Sequence, residues 1–173
     1  TIDGAAGTAL FTAAGGTGVS LRANNTNPTV NTGYSGGEQL ANDVVFELVG
    51  TDGSESFNFQ AGTTGDQIAA AINLVSDSTG VTSSFAAATG IKFTSSGYGR
   101  NAKAAINVIS KGTGGTFKSS LSAIRSTGTD IVARVNGIKA DGHGNKLSIN
   151  TSTLDLSVTL DPSINTSQLN FTI

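Results

Sequence analysis

The chain has no cysteine, no methionine, no tryptophan and a single histidine, His143. Without cysteine there is no disulfide framework, no thiolate metal site and no thiol nucleophile. One histidine excludes any site that needs two. Charged side chains are 13% of the 173 residues, roughly half the usual share of a soluble domain. The formal net charge of −2 argues against a protein that binds nucleic acid by neutralising many phosphates. No apolar run approaches the roughly 20 residues of a membrane span. Neither a nucleic acid nor a membrane is therefore an expected partner.

What is present is small and polar. Gly, Ala, Ser, Thr and Asn supply 100 of the 173 residues, while Ile, Leu, Val and Phe supply 42, enough for a core. This points to a structural, surface-facing protein. The small net charge hides a division. Residues 1–90 hold eight acids and one base, Arg22, for a net −7, and residues 91–173 hold nine bases and four acids, for a net +5. Opposed charge in the two halves invites contacts between them or between copies.

Residues 1–40 offer one strand, around 18–22, with loops at 24–28 and 33–37. From residue 44 the pattern sharpens. Val44, Phe46 and Leu48 share one face of a strand over 44–49, and Phe57 and Phe59 alternate with polar residues over 54–60. An Asp-Gly turn at 50–53 joins the two as a hairpin. Thr64 and Gln67 then form a capping box, and Ile68, Ile72 and Val75 form one apolar stripe of a helix. The helix should end at 78–80, with Gly80 in a left-handed cap. Strands are expected at 81–85, 91–94 and 105–109, weak helical spacing links Phe117, Leu121 and Ile124, and strands resume at 131–135, 146–149, 154–161 and 169–173. The expected fold is α+β, predominantly antiparallel β, with one well-defined helix in a ββαββ unit. That unit spans 41–116, and the segments 1–40 and 117–173 are expected to form a second β-rich lobe from both chain ends. Thr1 in place of a Met, and an alternating segment that stops at Ile173, are read as marks of a fragment of a longer chain.

No motif carries chemistry. Asp141-Gly142-His143-Gly144-Asn145 superficially offers oxygens for a cation, but lacks a bidentate Glu and reads as a tight turn with an exposed His. Gly97-Tyr98-Gly99-Arg100 resembles a phosphate loop, yet a strand and not a helix follows, so it reads as an irregular connection. Asp130, Asp155 and Asp161 are acid–base candidates in principle, but Asp155 and Asp161 occupy polar positions of an alternating strand. No Gly-x-Ser-x-Gly elbow is present. No enzyme, metal or cofactor is expected.

The string Phe57-Asn58-Phe59 … Gly65-Asp66-Gln67-Ile68-Ala69-Ala70-Ala71-Ile72-Asn73 … Thr79-Gly80-Val81-Thr82 closely resembles the flagellin hook IN motif of bacterial flagellins and of the filament cap protein, named for an Ile-Asn pair, here Ile72-Asn73. Ser95-Ser96-Gly97-Tyr98-Gly99, the stretch 127–137 and the stretch 144–150 are similar to later segments of flagellin variable regions. The resemblance covers roughly residues 44–173. It implies structural motif positions at Ile68, Ile72, Asn73, Gly80 and Val81, with Ile72 buried and Asn73 beside the stripe, available for a polar contact. It implies further an extracellular, surface-exposed outer domain of a flagellin, set among other flagellin subunits of the filament. Heptad-patterned ends, which build the filament tube, are missing, so the isolated stretch should be monomeric. The alternatives are the equivalent domain of the filament cap or another hook-associated protein, or an adhesin that binds surface glycans through Tyr34 and Tyr98.

Overall fold

The strongest alternations of the sequence become strands in the computed structural model, which describes residues 18–22, 29–31, 39–87, 89–135, 138–152, 154–160 and 168–172. The loops expected at 24–28 and 33–37 lie outside these residues. Strands β1 (Gly18–Arg22) and β2 (Thr29–Asn31) precede the hairpin of β3 (Val44–Val49) and β4 (Ser54–Phe59). Next come α1 (Gly65–Asn73), a single turn α2 (Ser76–Thr79), and the hairpin of β5 (Val81–Ala86) and β6 (Gly90–Ser95). β7 (Lys103–Ser110), the single turn α3 (Phe117–Ser120) and β8 (Arg125–Thr127) follow. The last stretch holds β9 (Val132–Val135), β10 (Ile138–Lys139), β11 (Asp141–His143), β12 (Lys146–Asn150), β13 (Asp155–Thr159) and β14 (Gln168–Thr172). All the described ladders are antiparallel, so the class is α+β dominated by antiparallel sheet.

The chain divides into two compact units. Unit 1 comprises the described residues of Thr1–Thr26, Tyr98–Arg100 and Gly128–Ile173. It holds a sheet of order β10-β9-β1-β14 and a sheet of order β11-β12-β13. Its core is Ile131, Ala133, Ala140, Leu147, Ile149, Val158 and Leu160. Unit 2, from Asn27–Gly97 and Asn101–Thr127, holds the sheets β4-β3-β7-β8 and β2-β6-β5. Its core is larger and more aromatic. Phe46 stacks on Phe117 at 5.4 Å between ring centroids and meets Phe93 edge-on at 6.2 Å.

The division differs from the expected one at 116/117. Unit 2 runs on to Thr127 because Phe117 is buried in its core and β8 extends the β7 ladder, with Lys103 opposite Thr127. The helical spacing of Phe117, Leu121 and Ile124 yields only one turn. Leu121 is already extended, and Ile124 is 61% exposed while its carbonyl accepts the Ile106 N–H at 2.9 Å. The main helix also breaks earlier than its stripe suggests. After Asn73, hydroxyls of Ser76, Ser78 and Thr79 donate to the carbonyls of Asn73, Val75 and Val75, and these local bonds close the helix end. Val75 is therefore the half-buried residue between α1 and α2, not a third rung of one helix.

The charge halves do not become oppositely charged units. Unit 1 carries five bases and five acids, and unit 2 five bases and seven acids.

Candidate functional site

The motif positions all fall within the β3–β6 segment of unit 2. Thr64 is the N-cap of α1: its hydroxyl accepts the Gln67 N–H at 3.2 Å, and the Gln67 side chain accepts the Thr64 N–H at 2.9 Å. Two of the helix's unpaired amides are thus satisfied, and Asp66 in the first turn adds a favourable charge at the positive end of the helix dipole. Ile68 and Ile72, four residues apart, are 1% and 0% exposed and join the core with Val44, Phe46, Leu48 and Ile106. Each such burial contributes about 1.5–3 kcal/mol.

Asn73 does a different task. Its Nδ2 donates to the Ser83 carbonyl at 2.9 Å, and its Oδ1 accepts the Ser83 N–H at 2.7 Å. One amide therefore serves both polar groups of a β5 residue, as a neighbouring strand would, and ties the end of α1 to the middle of β5. Ser83 is buried, and its own hydroxyl donates to the Lys92 carbonyl across the β5–β6 ladder at 3.1 Å.

Gly80 has φ of 70° and caps α2 in the left-handed conformation, its N–H donating to the Ser76 carbonyl at 2.7 Å. The Gly80 carbonyl accepts both the N–H and the hydroxyl of Ser96, at 2.9 and 3.1 Å. Val81, fully buried, opens β5 directly afterwards. Thr79 and Ser95, the two fully buried polar side chains among the described residues, are also paired: Thr79 donates to the Val75 carbonyl at 3.0 Å, and Ser95 meets the Thr51 hydroxyl at 3.2 Å. These polar groups hold the segment's own turns and strands together.

In unit 1 the acid–base candidates separate. Asp155 is exposed on β13, and Asp161 lies outside the described residues. Asp130 is the hub of a cluster. Its Oδ1 accepts the N–H of Arg100 at 3.0 Å and of Gly144 at 2.9 Å, and its Oδ2 lies 3.2 Å from Arg100 Nε. Burial pushes the carboxyl up, but the two N–H donors, the Arg100 guanidinium and His143 outweigh it and hold Asp130 below the usual carboxylate range. His143 ends β11 at the expected tight turn, exposed, with Gly144 at φ of 57°. Its Nε2 lies 3.1 Å from Arg100 Nη2. Arg100 and Asp130 were not paired by any sequence pattern; the positive φ of Gly99, 89°, supplies the turn that precedes Arg100. Among the described residues no group of three His, Asp or Glu side chains is placed to hold a metal ion. Tyr98 is half-buried, and Tyr34 lies outside the described residues.

Residues 45–97, from β3 through β6, match the family model of the flagellin hook IN motif. A sequence search of curated proteins returns no match. Among solved structures, the chain is similar to the D2–D3 domains of the flagellar cap protein FliD from Serratia marcescens. The TM-score is 0.53 and the identity 15%, over 92% of this chain and 95% of that one. FliD (HAP2) from Pseudomonas aeruginosa is similar at TM-score 0.54 and 13% identity, over 94% of this chain and 81% of that one. The cap protein FliD from Bdellovibrio bacteriovorus follows at 0.51 and 12%, over 76% and 80%. At these identities the likeness is one of fold.

Proposed function

We infer that this chain, with a flagellin hook IN motif at residues 45–97 inside a cap-protein-like fold, is a structural domain of a bacterial flagellum. More narrowly, it is a non-enzymatic outer domain of a filament subunit, exposed on the extracellular appendage among other copies of itself. The motif is the observation that carries this reading. Its Ile-Asn pair is used structurally: Ile72 fills the core and Asn73 binds the backbone of Ser83. A scarcity of charge and an abundance of small side chains suit a surface packed closely beside copies of itself. The absence of cysteine suits an extracellular polymer, in which thiols would cross-link.

A domain of the filament cap is the second reading, favoured by the similarity to cap-protein structures over most of the chain. Copy number separates the two. Antibodies raised against this chain and visualised by immunogold on intact flagella should label the filament along its length. Labelling confined to the tip would replace the filament reading by the cap, and unlabelled flagella would end both.

A further inference from the structure

The edge strands of a sheet carry unpaired backbone groups, and most edges of the described sheets are short or covered. β2, β8, β10 and β11 are two or three residues long. The Asn73 amide occupies the middle of the β5 edge. β4 and β13 are edges of six and five residues, without a bulge, a proline or a basic side chain to blunt them. The turns beside them fix their bonding phase. The Gly50 N–H donates to the Gly53 carbonyl at 2.8 Å, next to the Val49–Ser54 pair. Bonded and non-bonded pairs alternate in an antiparallel ladder. Glu55, Phe57 and Phe59 therefore bond to β3, while Ser54, Ser56 and Asn58 turn their N–H and C=O groups outward. The same alternation runs from the Thr151 N–H on the Leu154 carbonyl, at 2.7 Å, to the Leu160 N–H on the Asn145 carbonyl, at 2.9 Å. On β13 it leaves Asp155, Ser157 and Thr159 pointing outward. All six residues are exposed, and their outward groups have no partner among the described residues.

The two edges fit each other. We propose that β4 of one copy pairs antiparallel with β13 of the next, Ser54 opposite Thr159, Ser56 opposite Ser157 and Asn58 opposite Asp155. Each of these pairs exchanges both backbone bonds, and their polar side chains share the solvent face. On the core-facing side the same register sets Phe57 against Leu156 and Phe59 against Leu154. These four side chains are half-buried, each packed against the core of its own unit, and the pairing covers what they leave open. No like charges meet: Asp155 faces Asn58, and Glu55 faces Val158. Glu55 is the one mismatch, and it keeps the contact weak. Pairing of β4 with β4 of a second copy, centred on Ser56, would instead bring both Glu55 carboxylates to neighbouring positions of one face. Because β4 and β13 are different surfaces, a contact leaves one edge of each kind free for a further copy. It stands on the two edges alone and goes beyond the flagellar reading. In the setting of that reading, subunits tethered side by side reach effective concentrations on the order of millimolar, where a weak contact is occupied.

Sedimentation velocity on the 173-residue chain at high protein concentration tests it. The chain should associate reversibly, and Ser56→Pro and Ser157→Pro should each abolish association alone. Each proline removes an outward N–H and leaves the ladder to β3 or β12 intact. An equimolar mixture of the two variants should form a dimer and nothing larger, because only one open edge of each kind remains. Circular dichroism shows that each variant is folded before the comparison. Hydrogen exchange reads the same contact in the unaltered chain. The amides of Ser54, Ser56, Asn58, Asp155, Ser157 and Thr159 should exchange more slowly as concentration rises, and those of β2 should not change. A chain that stays monomeric, a folded proline variant that still associates, a mixture that fails to dimerise, or edge amides indifferent to concentration overturns the proposal. The immunogold result is read on intact flagella, so failure of the functional reading and failure of this contact are separately visible.

Discussion

A single amide, that of Asn73, satisfies both backbone groups of Ser83, and its removal leaves a buried N–H and C=O without partners. Asn73→Ala should therefore cost about 2–4 kcal/mol in a urea titration, near the sum expected for two orphaned groups. Asn73→Asp is a sharper probe: its carboxylate still accepts the Ser83 N–H but sets a negative charge against the Ser83 carbonyl. It should recover only part of the loss, and more of it at acid pH, where a protonated carboxyl donates. Asp130 makes an opposite prediction with pH. Its carboxyl titrates lower in the folded chain than in the unfolded one, so its contribution to stability is complete above an unfolded value of about 3.9 and is lost as pH falls through the lower folded value. Asp130→Ala should cost about 1–3 kcal/mol at neutral pH and flatten the acid limb of the stability curve. Equal acid sensitivity in the variant would show that other carboxylates govern that limb.

α1 is held to β5 by close approach as well as by Asn73. Gly65, the first residue of α1, lies against the Phe85 ring, and a Cβ there would drive into it. Gly65→Ala should lower stability by about 1–3 kcal/mol, the usual range for overpacking, although alanine is the better helix former. A thermal melt unchanged or raised would mean that the ring simply moves aside. The helix itself was legible in the sequence, because its signals are local: Thr64 and Gln67 are three residues apart, and Ile68 and Ile72 four. The hairpins were legible for the same reason. What escaped was either very short or written in distant partners. β2, β8, β10 and β11 are two or three residues long, too short for alternation to register. β7 begins two residues before its apolar run, at Lys103, because Ala104 is buried by its neighbours and not by its own preference for strand. The Asn73 clamp was half legible: the sequence placed Asn73 beside the stripe, and only the structure names Ser83. The Asp130 cluster was invisible, since Arg100 lies 30 residues away and is drawn in by a turn at Gly99.

At the scale of the molecule, the described residues form two distinct hydrophobic cores, each belonging to one unit. Hydrogen exchange should resolve them. Asn73→Ala should lower protection in α1, β5 and β6 and leave β12 and β13 at native levels, whereas a uniform loss would make the chain one cooperative body. The chain passes between the units several times, and Tyr98–Arg100 belong to unit 1 although the residues on either side belong to unit 2. A cut made at 116/117, where the composition suggests one, would remove Phe117 and β8 from the unit they complete.

The β1–β14 ladder carries a mechanical consequence. Gly18 pairs with Thr172 at one end and Arg22 with Gln168 at the other, so the strands run antiparallel with the outer residues of both at the same end. Neighbouring strands lie only about 5 Å apart. A load drawn through Gly18 and Thr172 would open this ladder as a zipper, one pair at a time from Gly18 and Thr172 inward, instead of shearing five pairs together.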